Sequence, residues 1–433
     1  MYFLYSAALA VALVVSLPYW FWQALRKGKY RAGFSERMGN VPARLRATAA
    51  GENCIWIHAV SVGEVMAITP LAQALTAKLG AGWRVVVSTT TMTGQQLARQ
   101  RFGEENVFYL PLDFAFALRP FFSVLRPKAL ILAETEFWPN ILRIAHEEKV
   151  RVAVVNARIS DRSFPRYKRF RGLLARVLRN VDLFLAQTAA DRDRLVAIGA
   201  DAGRVQVPGN LKFEAAVVKD TKLVGELSGG IGGPVLVCGS TVEGEEELLV
   251  PAFRRVLAAN PSATIILAPR HPERFAVVAE LLKQSGVTFW RRSEWRGGPV
   301  GGGVLLLDSI GELASVYELA TAAFVGGSLV PRGGHNILEP ARFGKPILVG
   351  PYTQNFRDII SIFEKADAVK VIATENAVEE LSSAFDSRWK AMGERGREVL
   401  REQSGALQRT LDALEVLLWM PSSIKPRYEK VAE

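Results

Sequence analysis

Short runs of consecutive apolar residues recur along the chain and alternate with stretches whose apolar positions fall at helical spacing. In the first half the runs are 54–59 CIWIHA, 84–88 RVVVS, 107–110 VFYL, 129–133 ALILA, 151–155 RVAVV, 182–187 DLFLAQ and 204–207 RVQV. Helices are predicted between most of them, as over 64–79 and 93–102. In the second half the runs are 234–238, 263–268, 303–307, 322–326, 345–349 and 368–372, and helices are predicted over 244–259, 273–285, 336–343, 355–366 and 387–419. Strands this continuously apolar are buried on both faces, as in parallel sheets covered by helices. The pattern predicts an α/β protein of two doubly wound, Rossmann-like domains facing each other across a cleft. Ligands in such sheets bind beyond the carboxyl ends of the strands.

Two segments break this alternation. The turn-rich stretch GELSGGIGGP marks 216–233 as a linker between a first domain, 26–215, and a second, 234–433, whose last helix can cross back. Residues 1–25 carry no charged side chain, and about 20 apolar residues span a bilayer core. The basic flank RKGKYR follows, and Tyr19, Trp20, Phe21 and Trp22 suit a membrane–water interface. A cleaved signal peptide starts basic and ends in a small-residue site, and neither is clear here. The expectation is therefore an uncleaved N-terminal anchor helix with the remaining chain in the cytoplasm. Pro18 leaves open a helix that dips into one leaflet.

Charge adds a class of partner. The net charge of +11 attracts the chain to phospholipid, nucleic acid or phosphorylated substrates. Residues 166–180, RYKRFRGLLARVLRN, interleave five Arg and one Lys with apolar residues, a basic amphipathic pattern that suits lipid headgroups or a plain solvated face. The anchor argues against nucleic acid. Cys54 and Cys238 lie inside apolar runs and are expected as buried thiols. His58, His146, His271 and His335 are scattered, so no metal site is expected, and His58 is most simply a packed or turn-capping residue. No P-loop lysine motif, complete G-x-G-x-x-G or H-E-x-x-H occurs.

Candidate chemistry gathers at the strand ends. HAVSVGEV (58–65) turns a strand into a helix and delivers Glu64. A first-turn acid is also what a helix dipole favours, and a helix start lowers a carboxylate pKa, the opposite of what a general base needs. ILAETEFWPN (131–140) delivers Glu134 and Glu136, which alternation would point the same way, beside an apolar wall of Phe137, Trp138 and Pro139. FVGGSLVPRGGHNILEP (324–340) places Gly326, Gly327, Gly333 and Gly334 where backbone N–H groups can cradle a phosphate, with Glu339 available to ribose hydroxyls. Arg270 ends a strand and suits an anion clamp. The Ile310–Gly311 backbone could contact a base, and GNLKFE (209–214) puts Lys212 near the domain crossing. Surface turns with solvated charges remain an alternative at each of these places.

In order along the chain, HAVSVGEV, ETEFWPN, NARIS, GNLKFE, GS with T-x-EGEE (239–246), PRHPERF and FVGGSLV-x-RGGHN-x-LE resemble the Kdo transferases. These are the 3-deoxy-D-manno-oct-2-ulosonic acid transferases of lipopolysaccharide synthesis. The resemblance runs from the anchor to the last helix. It implies a GT-B glycosyltransferase at the cytoplasmic face of the inner membrane. The first domain would bind a tetra-acylated lipid A precursor and the second CMP-Kdo, with inversion at the anomeric centre and without metal or cofactor. Carried over residue by residue, it implies Glu64 as general base, with Glu134 and Lys212 stabilising the transition state. It implies CMP contacts at Pro269, Arg270, Ile310, Gly311, Glu312, Asn336, Ile337, Leu338 and Glu339. Ile337 stands where the family often has Pro, and Pro331 where an acid often precedes the arginine. The rival readings are another GT-B enzyme using a nucleoside diphosphate sugar on a lipid-linked acceptor, and a membrane-anchored nucleotide-sensing scaffold.

Overall fold

The computed structural model describes residues 1–27, 33–47, 53–214 and 221–419, with side chains for all of these except 17–27 and 47. The chain divides into two compact units. Met1–Ala215 and Ser404–Glu433 form the first, and Ala216–Gln403 forms the second.

Each unit is built on a seven-stranded sheet whose described pairings are all parallel. In the first, β1 (Asn53–His58), β2 (Trp83–Thr89), β3 (Val107–Tyr109), β4 (Pro127–Ala133), β5 (Arg151–Ala157), β6 (Leu183–Ala186) and β7 (Val205–Gln206) lie in the order β3-β2-β1-β4-β5-β6-β7. In the second, β8 (Val235–Thr241), β9 (Thr264–Pro269), β10 (Phe289–Arg291), β11 (Gly303–Leu306), β12 (Ala322–Val325), β13 (Ile347–Val349) and β14 (Lys370–Val371) lie in the order β10-β11-β9-β8-β12-β13-β14. Strand order reverses beside β1 in the first sheet and beside β8 in the second. These reversals create the crevices where doubly wound sheets place ligands.

Burial on both faces explains the apolar runs. One face of the first sheet packs Trp56 against Phe108 and Phe122, with ring centroids 5.4 and 5.1 Å apart. The buried indole N–H is satisfied by Ser88 Oγ at 2.7 Å. The opposite face packs Ile55 and Ile57 under Val65, Ile68 and Leu71 of the Val62–Leu79 helix. The second unit is similarly double-faced, with Cys238 and Phe324 on one side and Val237 and Tyr317 on the other. Both cysteines are buried.

Several expected elements differ. Part of the 216–233 segment is a helix, Thr221–Ser228, whose Leu223 and Leu227 are buried in the second unit's core. Residues 215–220 lie outside the described residues. The basic stretch at 166–180 is two helices, Phe164–Arg169 and Arg171–Leu178, parted at Phe170. The single helix expected over 387–419 is Lys390–Glu402 followed by Ala406–Trp419. Gly405, at φ +84°, makes the break, and the second helix then buries Leu411, Leu414 and Leu417 in the first unit's core.

The segment expected as an anchor is the Tyr2–Lys27 helix. The side chains of its aromatic cluster and its basic flank lie outside the described residues. Among the described residues, no helix is long and apolar enough to cross a membrane. The start of this helix is fastened to the first unit by polar contacts. Asn180 Nδ2 donates to Tyr2 Oη and Asn140 Nδ2 donates to Ser6 Oγ, both at 3.0 Å. The Tyr5 hydroxyl bonds the Asp113 carboxylate, which also accepts from the N–H groups of Asn140 and Ile141. Phe3, Leu4, Val11, Val14 and Val15 are exposed.

A left-handed residue costs a non-glycine side chain about 1–2 kcal/mol. Gly405→Ala should therefore lower stability by about that amount, read as a lower urea midpoint with an unchanged m-value.

Candidate active site

In the first unit the strand-order reversal lies between β1 and β4, which pair in parallel with His58 opposite Leu132. The loops leaving these two strands carry the two acids singled out in the sequence. Beyond β1, Ser61 caps the Val62–Leu79 helix. Its hydroxyl accepts from the Glu64 N–H at 3.5 Å and donates to Glu64 Oε1 at 3.0 Å. Glu64 Oε2 reaches back to accept from the Val60 N–H at 2.8 Å. This is a capping box displaced by one residue, and it fixes the Glu64 rotamer.

The same carboxyl is a weak acid. Burial pushes Glu64 up to about 7, Glu134 and Glu136 add to the rise, and the Val60 N–H and Ser61 hydroxyl oppose it. The helix start acts against this shift, and desolvation outweighs it.

Beyond β4 the chain turns at once. Glu134 sits at φ +56°, and its N–H is taken by Val155 O at 2.9 Å. Alternation fails across this turn, and the two acids find different partners. Glu134 Oε1 pairs with Lys212 Nζ at 2.8 Å, both side chains about one-quarter exposed. Glu136 Oε2 accepts from Trp138 Nε1 at 2.6 Å, and burial holds its carboxyl above the usual range.

Lys212 is held by residues the sequence reading left without a role. Asn156, at the end of β5 and at φ +54°, is buried and accepts from the Leu211 N–H at 3.0 Å. Asn210 accepts from the Lys212 N–H at 2.9 Å. The available signal was an Asn just past an apolar run, since Asn tolerates the left-handed region better than most residues. His58 is fully buried, with Nδ1 against Ser88 O at 3.0 Å, and burial holds its imidazole down at about 4, hence neutral.

The candidate donor residues lie in the second unit. Pro269 ends β9, and Arg270 follows it, exposed, its N–H donating to Thr241 O at 2.8 Å. Among the described residues, the Arg270 guanidinium has no hydrogen-bond or ion-pair partner. It lies close enough to Glu339 and His335 to influence both. Burial holds the Glu339 carboxyl above its usual range against Asn336, Arg270 and Arg342. Burial, with Arg270 and His271 adding, holds the His335 imidazole at about 4.

Asn336 Oδ1 takes the Leu338 N–H at 3.1 Å. The side chains of Ile337 and Leu338 point into the core, so only backbone is left to a ligand there. Ile310 is 69% exposed, and Gly311 follows at φ +92°. Glu312 is bound by Ser309 and by Arg292 at 3.3 Å. The structure thus gathers Arg270, His335, Asn336 and Glu339, while Glu312 is engaged elsewhere.

The expected phosphate cradle at Gly326–Gly327 is corrected. The N–H groups of Gly327, Ser328 and Leu329 are taken by the Glu245 carboxylate at 2.6, 2.8 and 2.7 Å, and that of Gly326 by Gly239 O at 2.8 Å. The helix expected over 336–343 is the single turn Leu338–Arg342.

Comparison with known proteins agrees with this architecture. A UDP-GlcNAc 2-epimerase from Neisseria meningitidis aligns with a TM-score of 0.57 at 13% identity, over 84% of this chain and 99% of that one. A glycosyltransferase from Rickettsia africae aligns with a TM-score of 0.53 at 11% identity, over 86% of this chain and 100% of that one. The fold is thus of the GT-B-like class, two parallel-sheet α/β units in one chain. The model of the 3-deoxy-D-manno-octulosonic-acid transferase (kdotransferase) family matches residues 32–215. The 3-deoxy-D-manno-octulosonic acid transferase of Haemophilus influenzae is 35% identical over 96% of this chain and 98% of its own length. That of Bordetella pertussis is 36% identical over 92% of this chain and 95% of its own. The chain belongs to the 3-deoxy-D-manno-octulosonic acid (Kdo) transferase family, and it is a glycosyltransferase.

Two outcomes test this geometry. The Glu64 carboxyl titrates near 4.5 unfolded and about 7 folded. The stability from burying its neutral form is therefore complete below about 4.5 and lost as pH rises through 7. Glu64→Gln should match the unmodified chain near pH 4 and exceed it by about 2 kcal/mol at pH 8, after discounting for partial exposure, in urea titrations at the two pH values. Asn156→Ala leaves the buried Leu211 N–H without its acceptor and should cost about 1–3 kcal/mol, visible in the same titration.

Proposed function

We propose that this enzyme moves Kdo from CMP-Kdo to a tetra-acylated lipid A precursor, with inversion, at the cytoplasmic face of the inner membrane. The observation that carries the mechanism is the Glu64 carboxyl, locked by Ser61 and Val60 and raised to about 7. A base of that strength suits proton abstraction from a sugar hydroxyl near neutral pH. As the hydroxyl oxygen bonds to C2 of Kdo, its proton passes to Glu64. The bond from C2 to the phosphate oxygen breaks, and CMP leaves with the electron pair.

Positive charge then grows on the sugar ring and negative charge on the departing phosphate. Glu134 and Lys212 offer one charge of each sign at a fixed 2.8 Å separation. In the second unit, the exposed guanidinium of Arg270 is the group proposed to meet the nucleotide phosphate. Asn336 and Glu339 are proposed for the ribose, with main-chain contacts from Pro269, Ile310, Gly311, Ile337 and Leu338, and Glu312 at the edge of the site. CMP carries a single phosphate, so the reaction is proposed to need neither metal nor cofactor. The exposed apolar residues near the start of the Tyr2–Lys27 helix and the net charge of +11 support work at an anionic membrane surface.

Mass spectrometry of the product formed from purified lipid acceptor and CMP-Kdo tests the reaction. Glu64→Gln and Glu64→Ala should lose about 100- to 10,000-fold in kcat. In the unmodified enzyme kcat should rise with pH through about 7, as Glu64 loses its proton. Transfer by Glu64→Gln at the unmodified rate would reject the base assignment. Binding of UDP in preference to CMP would favour the diphosphate-sugar reading.

A further inference from the structure

We infer that Glu245 closes the crevice at the strand-order reversal of the second unit, standing where nucleotide folds hold a phosphate, and is the positioning residue for the donor loops on either side. The inference rests on the donor reading above and adds to it a cause for the shape of the donor site.

That reversal lies between β8 and β12. Consecutive N–H groups beyond such a strand form a concave anion site. Glu245 enters this site from the loop after β8. One carboxylate oxygen accepts from Val242 at 3.1 Å and Gly327 at 2.6 Å, and the other from Ser328 at 2.8 Å and Leu329 at 2.7 Å. Four N–H groups use the full acceptor capacity of a carboxylate. Glu245 is fully buried, so no dissolved ligand reaches these N–H groups. The fit is tight: a Cβ added at Gly326 would stand 2.7 Å from Ser240 O and 2.8 Å from Glu245 Oε2.

The neighbouring acid works in the other direction. Glu246 is also fully buried, paired with Arg274 at 3.0 Å and accepting from the Thr241 hydroxyl at 3.2 Å. The Thr241 carbonyl in turn holds the Arg270 N–H. Adjacent acids therefore tie down both donor segments. Glu246 steadies 269–274, and Glu245 steadies 327–329, from which the chain runs on to His335, Asn336 and Glu339. The donor phosphate must then lie beside the crevice, in reach of the Arg270 side chain, with no second phosphate seated in the turn.

Amide hydrogen exchange on the full chain, with and without CMP, tests this directly. Residues 326–330 should exchange slowly without nucleotide and change less than about twofold on adding CMP, while 269–274 and 335–339 become slower. In Glu245→Gln, an amide NH2 faces N–H donors. Exchange at 326–330 should then speed up at least about tenfold, and KM for CMP-Kdo should rise about tenfold with kcat within about threefold. Glu245→Asp should recover part of both. Protection of 326–330 only when CMP is present overturns the inference, because those N–H groups would then be ligand groups. So does a folded Glu245→Gln with unmodified KM and exchange. If Glu245→Gln does not fold, the comparison on the unmodified chain decides. If 326–330 is slow and CMP alters no segment, the closure by Glu245 stands and the donor assignment fails.

Discussion

A parallel strand that ends where the strand order reverses hands its last backbone groups to a loop with no neighbour beside it. Something must accept those N–H groups, and each unit answers with a glutamate at the start of the helix after its first strand. In the first unit Glu64 takes one main-chain N–H, from Val60, and keeps a carboxyl oxygen on the Ser61 hydroxyl. In the second, Glu245 takes four. Burial raises both carboxyls. They differ in bonding: Glu245 has its acceptor capacity filled by main-chain N–H groups, whereas Glu64 keeps one oxygen on a side-chain hydroxyl.

The two acids after β4 show how a turn divides labour. Glu134 occupies a left-handed conformation, which bends the chain immediately and turns its side chain to Lys212. Glu136, two residues on, is held by the Trp138 indole. Neither touches Glu64 through a hydrogen bond, yet both raise its pKa. The Glu134–Lys212 pair thus serves two ends: it fixes the lysine side chain and places Glu134 where it raises the Glu64 carboxyl.

Much of the fold was legible because parallel strands buried on both faces have nowhere to hide polar residues. All seven strands of the first sheet stand out as apolar runs. The exception in the second sheet is β10, Phe289–Arg291, an edge strand that is only half-buried and ends in Arg291, with Arg292 following. The helix break at Gly405 escaped because the surrounding residues keep helical spacing. Glu64, Glu134 and Lys212 were legible from their motifs as candidates. The use of the glycine-rich turn was not, because a sequence shows that N–H groups can be bared but not which anion fills them. Asn156 and Glu245 went without a role for the same reason. Their work is done on backbone far away in the chain.

The fastening of the first helix changes what counts as the folded domain. Asp113 bridges the helix starting at Pro139 to Tyr5, and Asn140, the residue after Pro139, holds Ser6. Asn140 lies four residues after Glu136, at the end of the same ETEFWPN stretch. Removing the N-terminal segment to obtain a more soluble protein would strip a buried carboxylate of its hydroxyl partner beside the ETEFWPN turn. The segment that looks like a detachable tether is also a strut of the first unit.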